Sequence, residues 1–207
     1  RHQSPAPQVH LYAVWGRSPE DLFAVGTRGT VLHYDGEQWQ QQQINTQATL
    51  RAITGTPRGD LFAVGDEGTV LRFDGRSWSQ LPSPREERLI RVWARGSTEA
   101  VVLSESGALL RFNGQQWSVD PVSQRNEFRD FWGNLQGGLH GIDRHGSIRA
   151  FTLGAPESRS HHQNDRLAAG FSINANELLA VGRRGTVVHC VGTECTQTRG
   201  WTSLSSG

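Results

Sequence analysis

The sequence predicts an all-β chain, a β-propeller of five four-stranded blades. Three observations carry that reading. The stretch Leu11–Trp39 returns every 39 residues without insertion or deletion. Gly29 recurs as Gly68, Gly107, Gly146 and Gly185, and Leu11 as Leu50, Leu89, Phe128 and Leu167. A fixed period of this length marks a repeat architecture. Second, short runs rich in Val, Leu, Phe and Tyr alternate with Gly, Pro and Asp, and no window keeps a helical apolar stripe. Third, runs such as Leu22-Phe23-Ala24-Val25 are apolar without alternation, which suits strands covered on both faces. A propeller blade, packed between two neighbours, is covered in that way.

In chain order, residues 1–10, with Pro5 and Pro7, read as an extended lead-in or linker. Five blades follow at about 11–49, 50–88, 89–127, 128–166 and 167–205. They make the simplest closed ring; the rival arrangement is five repeats of a ring of about six to eight. Within the first repeat the strands fall at Leu11–Trp15, Leu22–Val25, Thr30–Tyr34 and from Trp39. The second and third strands are joined by Gly-x-x-Gly at Gly26–Gly29, Gly65–Gly68 and Gly182–Gly185. Paired glycines permit positive φ in a tight turn. The third and fourth strands are joined by Asp-Gly-x-x-Trp at Asp35–Trp39 and Asp74–Trp78, with Asn113–Trp117 as the Asn version. Asp and Asn hydrogen-bond nearby turn amides, and the Trp adds apolar surface. The fourth copy loses this turn, with Thr152-Leu153 and Pro156 in its place.

On these residues, VWGRSPEDLFAVGTRGTVLHYDGEQW resembles the short propeller repeats of secreted and lipoprotein-anchored bacterial proteins. Those repeats are related to Asp-box propellers and to the propeller of the photosystem II assembly factors. The resemblance covers Leu11 to about Trp117 and recovers in Leu178–Val188. It implies a blade architecture, and it implies function poorly, because such scaffolds host many activities.

Composition narrows the function. All 21 basic residues are Arg, which excludes lysine chemistry and a Walker-type phosphate loop. The net charge of +1 gives no electrostatic case for nucleic acid or an anionic membrane. No apolar run approaches the roughly 18 residues of a spanning helix, so membrane insertion is not expected. The absence of Met reads as a processed or excised piece of a longer product.

Candidate chemistry is sparse. Asp35, Asp74 and Asn113 are repeat equivalents, which a ring spreads round a rim, so they read as turn residues and not as an acid–base pair. The recurring Trp residues read as blade packing, with a repeated sugar-stacking site as the alternative. His161-His162 with Asp165 lacks a third ligand at a recognisable spacing and reads as solvated loop, so no metal or other cofactor is assigned. His33 and His189 share a position with Arg72 and Arg111 and read as polar blade-edge residues. Arg91, Arg129 and Asp130 are the polar exceptions on inner strands and the best that a glycoside hydrolase could offer. No catalytic residue is assigned.

The Gly-x-x-Gly tips diverge while the frame repeats, and divergent tips on a rigid frame are where binding usually resides. The candidate binding rim is Arg28, Asp66, Glu67, Arg144, His145, Arg183 and Arg184. The expected function is a non-enzymatic binding or scaffold module of an exported protein, its partner another protein or the rest of a larger parent chain. A glycan ligand is the alternative. Cys190 and Cys195 take the positions of Tyr34 and Trp39, two aromatics flanking one hairpin. Their joint replacement predicts a cross-strand disulfide, and with it an extracellular, periplasmic or outer-surface location.

Overall fold

The structure is a computed structural model. It describes residues 9–198 except 57, 84, 125–126, 135–137, 153–157, 163–166 and 175, and the backbone alone of 158–162. The described chain forms two compact units, one up to Val119 and one from Asp120.

The first unit holds three four-stranded antiparallel sheets. The first is β1 (Leu11–Ser18), β2 (Asp21–Gly26), β3 (Val31–Tyr34) and β4 (Trp39–Gln41). The second is β5 (Leu50–Gly55), β6 (Leu61–Gly65), β7 (Val70–Phe73) and β8 (Trp78–Leu81). The third is β9 (Leu89–Gly96), β10 (Glu99–Ser104), β11 (Leu109–Phe112) and β12 (Trp117–Val119). The second unit holds two more. They are β13 (Phe128–Gly133), β14 (Leu139–Asp143), β15 (Ile148–Phe151) and β16 (Ser158–His162), then β17 (Leu167–Asn174), β18 (Glu177–Gly182), β19 (Val187–Val191) and β20 (Glu194–Thr198). Every sheet is a meander in chain order, so each 39-residue repeat is one blade. Strand positions recur from blade to blade as the sequence predicts, each running a few residues longer or shorter.

Where blades of one unit meet, their facing side chains are buried. β6 is buried along its whole length, which explains its unalternating Leu-Phe-Ala-Val. Phe23, Val25 and Val31 of blade one pack with Leu50, Ile53 and Leu71 of blade two. Phe62, Val64 and Val70 of blade two pack with Leu89, Ala94 and Val102 of blade three. In the second unit Trp132, Ile142 and Ile148 pack with Leu167, Leu178 and Val188. A fully buried Phe or Leu stabilises by about 1.5–3 kcal/mol, so these blade-to-blade contacts dominate the fold. Tryptophan on a first strand lies against glycine on the next blade. A Cβ on Gly55 would meet Cζ2 of Trp15 at 2.2 Å, and one on Gly170 would meet Cη2 of Trp132 at 2.0 Å. The Trp132 indole N–H donates to Ser172 Oγ at 2.9 Å. Packing, as the repeat register predicts, is thus the use of these indoles.

The Gly-x-x-Gly turn joins neighbouring blades. The Asp66 amide donates to Thr49 O, at the entry of its own blade, at 2.9 Å. The Gly68 amide donates to Glu87 O, at the entry of the next blade, also at 2.9 Å. Thr27 and Gly29 repeat both bonds, to His10 O and Ala48 O. A Cβ on Gly65 or Gly68 would stand 2.0 Å from the carbonyl oxygen of Thr49 or Arg85, so only hydrogen fits. In blades three and four Ser104 and Asp143 replace the first glycine, and their oxygens take over turn amides. Asp143 Oδ1 accepts from His145 N at 2.9 Å and Ser147 N at 3.0 Å; Ser104 Oγ accepts from Ala108 N at 3.2 Å.

The Asp-Gly-x-x-Trp turns are structural too. Asp35 Oδ1 accepts from Glu37 N and Gln38 N at 3.0 and 2.9 Å. Asp74 and Asn113 repeat the pattern, the latter at 3.0 Å to both Gln115 N and Gln116 N.

Candidate binding face and its cationic pocket

The site is built from the entry of each first strand and the turn after each second strand, which lie side by side. On blade two these two positions are Arg51 and Asp66. Arg51 grips Asp66 with two bonds, Nε to Oδ1 at 2.7 Å and Nη2 to Oδ2 at 2.9 Å. Arg88 adds a third to Oδ1 at 3.0 Å and reaches Glu105 at 3.3 Å. The guanidinium of Arg51 also sits 5.1 Å from the Tyr12 ring centroid. Arg51 first, then Arg88, holds the Asp66 carboxyl below the ordinary carboxylate range, against the opposing effect of burial. This stretch of the face is electrically satisfied from within.

The second unit changes the charges at the same two positions. Arg129 stands where blade two has Arg51, and Arg144 stands where it has Asp66. Arg183 repeats the second substitution on blade five, beside Ala168. Arg129, Arg144, His145 and Arg183, with Leu167 and Ala168, line one open pocket of about 530 Å³. Among the described residues no carboxylate lines it. Arg144 donates to Glu127 at 3.2 and 3.3 Å and to His145 Nε2 at 3.0 Å. Neither Arg129 nor Arg183 has an ion-pair partner among the described residues. Such a cluster of guanidiniums offers planar, bidentate recognition of carboxylate or phosphate oxygens.

The rim residues named from the sequence therefore separate. Arg144, His145 and Arg183 come together at the pocket, and Arg129 joins them. Arg184 is exposed, held at φ 58°, and is not part of the pocket lining. Arg28, at φ 56°, lines a second opening of about 500 Å³ with Gln41, Gln42, Gln43 and Thr46. Asp66 is consumed by its arginines, and Glu67, at φ 57°, is exposed beside it. The sequence missed Arg129 as a rim residue, although its alignment with Arg51 carried the signal. His33 and His189 meet Asp21 and Glu177 at 2.9 and 2.7 Å, and Arg72 meets Asp60 at 2.8 Å, the polar edge role expected for that position. Asp130 is buried and accepts from Phe131 N, while Arg91, in the other unit, donates to Ile90 O. The side chains of His161 and His162, and Asp165, lie outside the described residues. Among the described residues no group of three His, Cys, Asp or Glu could hold a metal ion.

No family model and no curated protein matches this chain. Solved structures do. YCF48 bound to D1 peptide aligns at 17% identity and TM-score 0.64, over 87% of this chain and 63% of that one. YCF48 from Cyanidioschyzon merolae aligns at 20% and 0.67, over 98% and 70%. The β-propeller domain of Myceliophteria thermophila Cps50 (Swd1) aligns at 10% and 0.74, over 98% and 69%. The fold is a β-propeller. The chain spans about two thirds of the length of these propellers. At such identities the likeness establishes the fold and leaves the ligand open.

Proposed function

We propose that this propeller is a non-enzymatic binding or scaffold module. It holds a protein partner on the face that carries the turns after the second strands. The observation that carries the reading is the exchange of a satisfied pair, Arg51–Asp66, for an all-cationic pair, Arg129–Arg144, beside Arg183. The missing anion is supplied by the partner, as a side-chain or terminal carboxylate of a peptide segment. The solved YCF48 with a D1 peptide supports the idea that a propeller of this build can seat a peptide. The module works outside the cytoplasm, a location supported by the bond between Cys190 and Cys195.

The test is fluorescence anisotropy with a labelled Asp/Glu-rich peptide and a Lys-rich control of equal length. The acidic peptide binds, the control does not, and affinity falls as salt rises. R129E/R183E weakens binding by at least about tenfold. Equal binding of both peptides, or an unaffected double variant, would sink the reading.

A further inference from the structure

One guanidinium of the cationic pocket is latched. On blade three the strand-entry residue Arg88 pairs with the tip residue Glu105 at 3.3 Å. On blade four the same two positions carry the opposite charges, and Glu127 accepts from Arg144 Nη1 at 3.2 and 3.3 Å. Arg144 also donates its Nε–H to His145 Nε2 at 3.0 Å. Its guanidinium is engaged on both flanks, and His145 holds the edge nearest the rest of the pocket lining. Among the five tips only blade four has histidine here; the others carry Arg28, Glu67, Ser106 and Arg184.

That bond defines the state of the imidazole. A ring nitrogen that accepts a hydrogen bond carries a lone pair, so the ring is neutral with its proton on Nδ1, and an imidazolium has no acceptor left. Protonation at Nε2 breaks the bond, frees the Arg144 Nε–H and adds a cation to the pocket wall. The charged groups around His145, among the described residues, come from every side of the site. They are Arg144 and Asp143 on its own turn, Glu127 and Arg129 at the entry of β13, Arg149 on β15 and Arg183 on the turn after β18. Neither carboxylate is free for the ring. Asp143 Oδ1 accepts from the amides of His145 and Ser147, and its Oδ2 accepts from Arg149 Nε at 2.9 Å; Glu127 is held by Arg144. An imidazolium at this place needs an anion from outside, and a carboxylate in the pocket supplies it.

We propose that His145 is a proton-linked gate on this site: an acidic segment binds with uptake of one solvent proton at Nε2, which turns Arg144 over to the ligand. The inference rests on the carboxylate-binding role proposed above. With the pocket empty, the neutral imidazole latches Arg144. With it filled, imidazolium and guanidinium both serve the bound carboxylate. Binding that takes up a proton strengthens as pH falls, and the coupling is reciprocal. Histidine is the side chain that changes charge between about pH 5 and 8. The Asp and Glu side chains of a free peptide stay ionised above about pH 5.5, so the ligand's own charge is constant across the window used.

Anisotropy with the labelled Asp/Glu-rich peptide, from about pH 7.5 to about pH 5.5 at constant ionic strength, tests it. Wild type gains about fivefold in affinity across that range. H145Q keeps an oxygen that can accept from Arg144 but has no proton to gain, so its profile is flat; H145N takes its place if circular dichroism shows H145Q misfolded. Titration calorimetry near about pH 6.5, in two buffers of different ionisation enthalpy, counts the protons. Wild type takes up a fraction of a proton per peptide bound, and the variant takes up none. Wild-type affinity that is constant with pH overturns the gate and leaves the binding role standing. So does a variant whose affinity rises, or whose proton uptake matches, as in wild type. No peptide binding at any pH overturns the binding role itself, and the gate with it.

Discussion

Glu67 and Gly68 share a left-handed backbone, φ 57° and 64°, and should respond oppositely to substitution. Glu67 is exposed and pays a steric cost for its Cβ, so Glu67→Gly gains about 0.5–1 kcal/mol once glycine's extra chain entropy is counted. Gly68 faces the carbonyl oxygen of Arg85 at 2.0 Å from where a Cβ would stand, so Gly68→Ala loses about 2 kcal/mol or more. Urea denaturation of the two variants checks the pair; equal signs would refute the account of the turn. The glycines were legible in the sequence because turn chemistry is local. The partnership of Arg51 with Asp66 was not, since the two side chains are 15 residues apart and meet only once the strand entry lies beside the turn. Without that pair in view, the significance of Arg129 at an equivalent position could not be read.

The outer hairpin shows how a repeat position predicts contact. Tyr34 pairs with Trp39, Phe73 with Trp78 and Phe112 with Trp117, ring centroids 5.4, 5.3 and 5.0 Å apart. Cys190 pairs with Cys195 in the same register, Cα atoms 4.1 Å apart, and they form the predicted disulfide. Blade four departs from the motif, and Phe151 there packs at a tilt against Phe128 at 5.2 Å, inside the blade instead of across the hairpin. Its outer strand, β16, followed from the repeat period alone, because no turn motif announces it. Closing so short a loop stabilises by about 2 kcal/mol. The C190S/C195S variant should lose that amount in urea, whereas wild type loses it only when reductant is added. C190F/C195W restores the aromatic pair of blades one to three and recovers about half the loss, independently of reductant. A double serine variant as stable as the oxidised protein would show that the link is ornamental.

At the scale of the molecule, the indel-free period made the blade count and strand order readable, because each blade repeats one solution to covering both faces of a sheet. The division at Val119 was not readable, since it depends on which blades pack together and not on any one blade's sequence. The same distinction governs acid stability. Asp35 and Asp74 are held below the ordinary carboxylate range, chiefly by the backbone amides of Gln38 and Ser77, and Asp66 chiefly by Arg51. A carboxyl with a depressed folded pKa binds its proton more readily in the unfolded chain. Its stabilisation is therefore complete above the unfolded value of about 3.9 and fades as pH falls through the lower folded value. Wild-type stability should be level, as far as these groups govern it, from neutrality to about pH 5 and then fall steeply below about pH 4. Asp66→Asn removes one contributor: it lowers stability at pH 7 by about 1 kcal/mol and makes the acid decline shallower. Asp74→Asn keeps the turn bonds that Asn113 makes on blade three, so it leaves neutral stability nearly unchanged while also flattening the acid limb. Chemical denaturation at a series of pH values reads both; an acid limb equally steep in all three proteins would show that other groups control it.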